Sequence, residues 1–124
     1  MNLDLAGQTV HRIALDYAVT LLLEGDVEIR LETAFSLHFP GGQTVIIEPE
    51  RPGSAIEHLV GVLHHVVTDA VAHDTGRLVL DFANGAHLEV APDKSYEAWA
   101  VAGPRGRKVI ALPGGQLAIW GPNA

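Results

Sequence analysis

Cysteine is absent from this chain of 124 residues. That excludes disulfides and thiolate metal sites, and leaves only hydroxyls as simple nucleophiles. Aromatic residues are scarce, with two Trp, two Tyr and three Phe. Bases are few as well: 8 Lys and Arg stand against 15 Asp and Glu, a formal net charge of −7. A field of that sign repels phosphate backbones and argues against nucleic acid as a partner. No apolar run approaches the ~18 residues that a membrane span needs. Asp4 and Gly7 interrupt the opening stretch where a leader would need an apolar core. The expectation is a cytoplasmic protein with no membrane segment.

What is present is an ordinary globular composition, 48% apolar and 19% charged, at a length that suits one domain. The 13 Gly and 7 Pro fall between apolar runs, where they read as turns. Within those runs the period is two. In VTLLLEGDVEIRL a three-residue loop Glu24-Gly25-Asp26 pairs Leu23 with Val27, Leu21 with Ile29 and Val19 with Leu31 on one face. A slip of one residue would turn that apolar set outward, so the register is fixed. In LVLDFANGAHLEV a two-residue Asn-Gly turn would set Leu80 against Glu89. A three-residue loop Ala83-Asn84-Gly85, with Gly85 left-handed, instead pairs Phe82/Ala86, Leu80/Leu88 and Leu78/Val90. Asp81 and His87 then become cross-strand neighbours on the outer face.

These two hairpins match each other at an offset of 59 residues, and the tetrapeptide Pro-Gly-Gly-Gln recurs at 40–43 and 113–116. LAG at 5–7 and LVG at 59–61 extend the match upstream. The pattern predicts two related halves, about 1–50 and 59–122, with each PGG forming the same hairpin corner and extra chain lodged in the second half between its hairpin and that corner. Further strands are expected at about 9–15, 35–39, 43–48, 62–73, 95–102, 107–112 and 116–120. Ser54 and Glu57 form a capping-box pattern for one short helix near 54–60. The fold expected is mainly β, an antiparallel sandwich or partly closed roll.

Catalytic signatures are missing. His65, Asp69 and His73 share a strand face, but each lies ~13 Å from the next, too far for one metal ion. No serine sits in G-x-S-x-G, and GPRGRK lacks the spacing of a phosphate loop. No catalytic residue, metal ligand or cofactor is assigned, and binding is favoured over catalysis. The charge is uneven: residues 1–62 hold three bases against nine acids, while Lys94, Arg105, Arg107 and Lys108 make a local basic stretch with one acid, Glu97. Tyr96 and Trp99 fall in the same stretch. Tyr, Trp and Arg are the side chains that most often anchor interfaces, so Tyr96, Glu97, Trp99, Arg105 and Arg107 are the candidate binding residues. Trp99 is the one of these more consistent with a core filler.

GRLVLDFANGAHLEVAPDKSYEAWAVAGPRG followed by LPGGQLAIW resembles a family of small bacterial proteins, a domain of unknown function. Its string of Gly76, Leu78, Leu80, Phe82 and Gly85, then Tyr96-Glu97-Ala98-Trp99, Gly103-Pro104 and Pro113 to Trp120 stands in this chain. The resemblance implies no mechanism. It does imply a protein similar in size and acidity to immunity proteins that neutralise a partner toxin.

Three readings follow. The first is a protein-binding module that uses the Tyr96–Lys108 hairpin or the acidic face of the first half. The second is a small-ligand binder or enzyme with a site between the halves, to which His11, His38 or His65 contributes. The third is a homodimer whose edge strands pair.

Overall fold

Period-two patterning and turn chemistry set the strands, and the computed structural model, which describes residues 1–122, orders them in two antiparallel sheets. The strands are β1 (Val10–Asp16), β2 (Ala18–Leu23), β3 (Val27–Leu31), β4 (Phe35–His38), β5 (Thr44–Ile47), β6 (Val67–Ala72), β7 (Leu78–Phe82), β8 (His87–Val90), β9 (Trp99–Ala102), β10 (Lys108–Ala111) and β11 (Leu117–Trp120). The first sheet runs β1-β2-β3-β9-β10-β11 and the second β5-β4-β8-β7-β6. In each sheet a three-strand meander is extended by strands from later or earlier in the chain. The fold is therefore mainly β, as expected.

Both hairpin registers match the sequence. Val19, Leu21 and Leu23 face Leu31, Ile29 and Val27, and Leu78 and Leu80 face Val90 and Leu88. The left-handed position of each three-residue loop is filled by Asp26 in one case and Gly85 in the other. Leu21, Ile29, Leu31, Leu37, Leu78, Leu80 and Leu88 are fully buried in one continuous core between the sheets. Each such side chain contributes roughly 1.5–3 kcal/mol by leaving water.

Residues 1–8 join the sheets on one side. Leu3 N–H donates to Ala70 O (2.9 Å), Gly7 N–H to Val67 O (2.8 Å) and Val67 N–H to Gln8 O (2.8 Å). The same segment then continues into β1, so the roll is laced along β6 and β1 without closing into a barrel. Among the described residues no helix is long and apolar enough to cross a membrane.

The structure corrects three local expectations. The short helix is a 3-10 helix, Gly53–Gly61, and Ser54 makes no cap: the residue at the N-cap position is Pro52, so Ser54 lies inside the first turn. The strand expected at 62–73 begins only at Val67. Before it, His64 turns at φ +67° and the chain docks on Val10, through His64 N–H to Val10 O (2.7 Å) and Val10 N–H to His65 O (3.1 Å). The strand expected at 95–102 begins at Trp99. Here Asp93 is the cause, because its Oδ1 accepts the N–H of Ser95 (2.8 Å) and of Tyr96 (3.0 Å) and holds the chain in a bend.

The two PGG corners are not the same corner of the strand order. The first joins β4 to β5, and the second joins β10 to β11. By position beside the meander, the counterpart of the first is Gly103–Arg107, between β9 and β10. All three corners share one geometry, in which residue one donates its N–H to the carbonyl of residue five: Phe39 to Gln43 (2.8 Å), Gly103 to Arg107 (2.9 Å) and Leu112 to Gln116 (2.8 Å). Pro occupies the second place, and φ is positive at the third and fourth. That local geometry favours glycine at the third and fourth places, and two of the three corners carry Pro-Gly-Gly. Arg105, at φ +60°, takes a place where the other corners use Gly41 and Gly114.

Candidate groove and surface network

β9 separates the residues that the sequence had grouped. Leu31 faces Trp99 at one end of the strand and Glu28 faces Ala102 at the other. Tyr96 and Glu97 precede the first end, and Arg105 and Arg107 follow the second. Trp99 is fully buried, and its indole N–H donates to Gly76 O at 2.8 Å. It is a core side chain that ties β9 to the β6–β7 turn. Tyr96 is 71% exposed.

At the Tyr96 end lies a groove. Its main hollow, about 550 Å³, is lined by Tyr17, Arg30, Glu32, Thr33, Glu50, Tyr96 and Glu97. Through Glu50 it runs into a second hollow that adds Glu48 and Arg51, and into a third that adds Leu15, Asp16 and Ile56. The local folding explains each element. Asp16 Oδ1 accepts the N–H of Ala18 (3.1 Å) and tightens the β1–β2 reversal, so Tyr17 at its apex is thrown out to 84% exposure. Glu32 and Thr33 sit in the short β3–β4 connection, Glu48 and Glu50 after β5, and Tyr96 and Glu97 on the Asp93 bend.

Five carboxylates, Asp16, Glu32, Glu48, Glu50 and Glu97, line the groove against two guanidinium groups, Arg30 and Arg51. Arg30 is already engaged, with Glu32 at 3.1 Å and Asp16 at 3.6 Å. Glu48, Glu50 and Glu97 have no ion-pair partner among the described residues. Thr33 Oγ1 is buried and without a hydrogen-bond partner among the described residues, and a buried hydroxyl in that state is costly. The groove is chemically suited to a cation flanked by aromatic rims.

The sequence nominated Tyr96, Glu97 and, more loosely, the acidic first half. Nothing in it brought them together, and Tyr17, Thr33 and Glu50 were missed. The one signal for Tyr17 was its position where apolar alternation breaks between two strands.

A second polar cluster lies on the outer face of the β7–β8 hairpin. His87 Nδ1–H donates to Asp81 Oδ1 (2.6 Å) and Nε2–H to Glu89 Oε1 (2.8 Å), and Arg77 stands 3.8 Å from Glu89. Both ring nitrogens face carboxylates, so the imidazolium is the form that satisfies them. The Glu89 hydrogen bond is the main cause of a raised His87 pKa, opposed by burial and helped by Asp81. The Glu89 pKa is lowered, chiefly by His87. A raised histidine pKa stabilises the fold fully below its unfolded value near 6.5, and that stabilisation is lost as pH rises through the folded value. Glu89 contributes above its own unfolded value, and its share is lost as pH falls through the lowered folded one. Urea unfolding across pH is therefore expected to show wild type ahead of His87→Gln at pH 6, with the gap shrinking at alkaline pH. A constant gap would remove the ion-pair assignment.

A two-sheet β protein with an acidic, tyrosine-rimmed groove is the class defined by these features. The chain belongs to a family of unknown function (DUF6188), whose family model matches residues 1–121. Comparison with curated proteins and with solved structures gave no match.

Proposed function

We propose that the protein is a small cytoplasmic bacterial protein-binding module, similar in size and charge to immunity proteins, and that it holds a basic segment of another protein in the Tyr17–Tyr96 groove. The observation that carries this reading is the convergence of two exposed tyrosines and three glutamates without an ion-pair partner among the described residues, from both halves of the chain, on adjoining hollows of one groove. Tyrosines supply contact area at low entropic cost and the carboxylates supply steering toward a basic partner. Of the candidate binding residues, Tyr96 and Glu97 belong to this site. Arg105 and Arg107 would mark a separate contact at the far end of β9.

We also take the chain to be one domain of two related halves. Each half gives a meander to one sheet and strands to the other, an arrangement that supports duplication.

The test is retention of a partner from native lysate on immobilised protein. Tyr96→Ala should weaken retention by about 2 kcal/mol, roughly thirty-fold, as for an interface anchor. Glu97→Lys should act in the same direction and Arg105→Glu should not. Retention that ignores Tyr96→Ala and Glu97→Lys but fails with Arg105→Glu would move the site to the other end of β9.

A further inference from the structure

We infer that the open edge of β11 is a self-association site whose occupant is β11 of a second copy. β11 pairs with β10 on one side and ends the six-stranded sheet on the other. The Leu112 N–H bond to Gln116 O (2.8 Å) makes that facing pair hydrogen-bonded. Alternation along an antiparallel ladder then turns the N–H and C=O of Ala118 and Trp120 toward β10, and those of Leu117 and Ile119 outward.

Each of the other edges is covered over part of its length. Residues 1–8 run along β6, His64 and His65 meet β1 at Val10, and β5 packs against the 3-10 helix. β11 packs chiefly on β10. Its sequence, Leu-Ala-Ile-Trp, has none of the charges, prolines or bulges that protect a bare edge. Ile119 is 38% and Trp120 48% exposed.

Two features select a second copy, paired antiparallel, as the occupant. A twofold axis through Ile119 matches Ile119 with the partner's Ile119 and Leu117 with the partner's Gly121. On the outer face it sets Trp120 opposite the partner's Ala118, a large side chain against a small one, on both sides of the axis. The charges agree as well. One end of β11 lies beside Lys108, which faces Trp120, and Arg107, whose backbone abuts Gly121. The other end, at Gly114 and Gly115, lies beside Asp93, whose carbonyl accepts the Gly114 N–H (2.8 Å), and beside the turn that carries Asp74. Antiparallel pairing sets Arg107 and Lys108 of each copy toward the partner's Asp93 and Asp74, in turns that also carry Lys94 and Arg77, the latter 3.8 Å from Glu89, whereas a parallel arrangement would set Arg107 and Lys108 of the two copies together. An interface of one strand pair is small, so association should be weak and concentration-dependent.

Sedimentation equilibrium from micromolar to millimolar protein tests this directly. The mass should rise from 13.2 kDa toward twice that value. Hydrogen exchange at Leu117 and Ile119 should slow as the dimer fills. Ile119→Pro removes an outward N–H and no bond to β10, and Ile119→Lys sets like charges face to face across the axis. Each should hold the protein monomeric with its circular dichroism intact. A monomer at millimolar concentration, or a dimer that persists in both variants, would overturn the assignment.

Discussion

Trp99→Ala is expected to lower the unfolding free energy by about 3–5 kcal/mol, the cost of removing a large side chain from a packed core. Domains of this kind hold only about 5–15 kcal/mol in total, so the variant should sit near the margin of folding. Trp99 is fully buried at the first residue of β9, facing Leu31. Its deletion opens a cavity and strips Gly76 O of its donor. Trp99→Phe keeps most of the volume but loses that hydrogen bond, so a smaller loss of about 1–2 kcal/mol is expected. Urea titration separates the two, with the midpoint falling and the slope unchanged. A loss under about 1 kcal/mol for Trp99→Ala would mean that the site is not packed as described.

Gly115→Ala is the second large effect. A Cβ at Gly115 would lie 2.2 Å from Thr75 O, and one at Gly76 would lie 2.5 Å from Gly115 Cα. The β6–β7 turn and the β10–β11 corner thus meet backbone to backbone, and no flexible side chain can give way. The position is also left-handed, at φ +101°. The strain of that conformation, about 1–2 kcal/mol, and the overlap, about 1–3 kcal/mol, act together. Gly114 is the internal control, because it has φ +87° and open space where its Cβ would stand. Gly114→Ala should therefore cost only the conformational part. Thermal unfolding of both variants measures the difference, and equal losses would contradict the close approach.

The hairpins were legible because they are local: alternation fixes register, and a three-residue loop needs a left-handed residue that Asp26 or Gly85 supplies. Elements governed by distant contacts were less so. The start of β6 depends on His64 and His65 docking at Val10, and that of β9 on Asp93 gripping two amides. Neither leaves a periodic trace. The repeated PGG suggests a shared position in two halves, but it encodes only a five-residue corner, a geometry that this fold uses three times. The groove was the least legible feature. Tyr17, Thr33, Glu50 and Tyr96 come from four separate connections, and only the folded sheets gather them. The acidic excess of residues 1–62 forecast its sign and not its place.

The central claim is that the Tyr17–Tyr96 groove receives a cationic segment of a protein. An NMR titration of the ¹⁵N-labelled protein with a tetra-arginine peptide tests it most directly. Amide shifts should concentrate at Tyr17, Glu32, Thr33, Glu50, Tyr96 and Glu97, and should weaken as salt screens the carboxylates. Tyr96→Ala with Glu97→Lys should abolish them. Shifts confined to the His87 face, or none at all, would contradict the account.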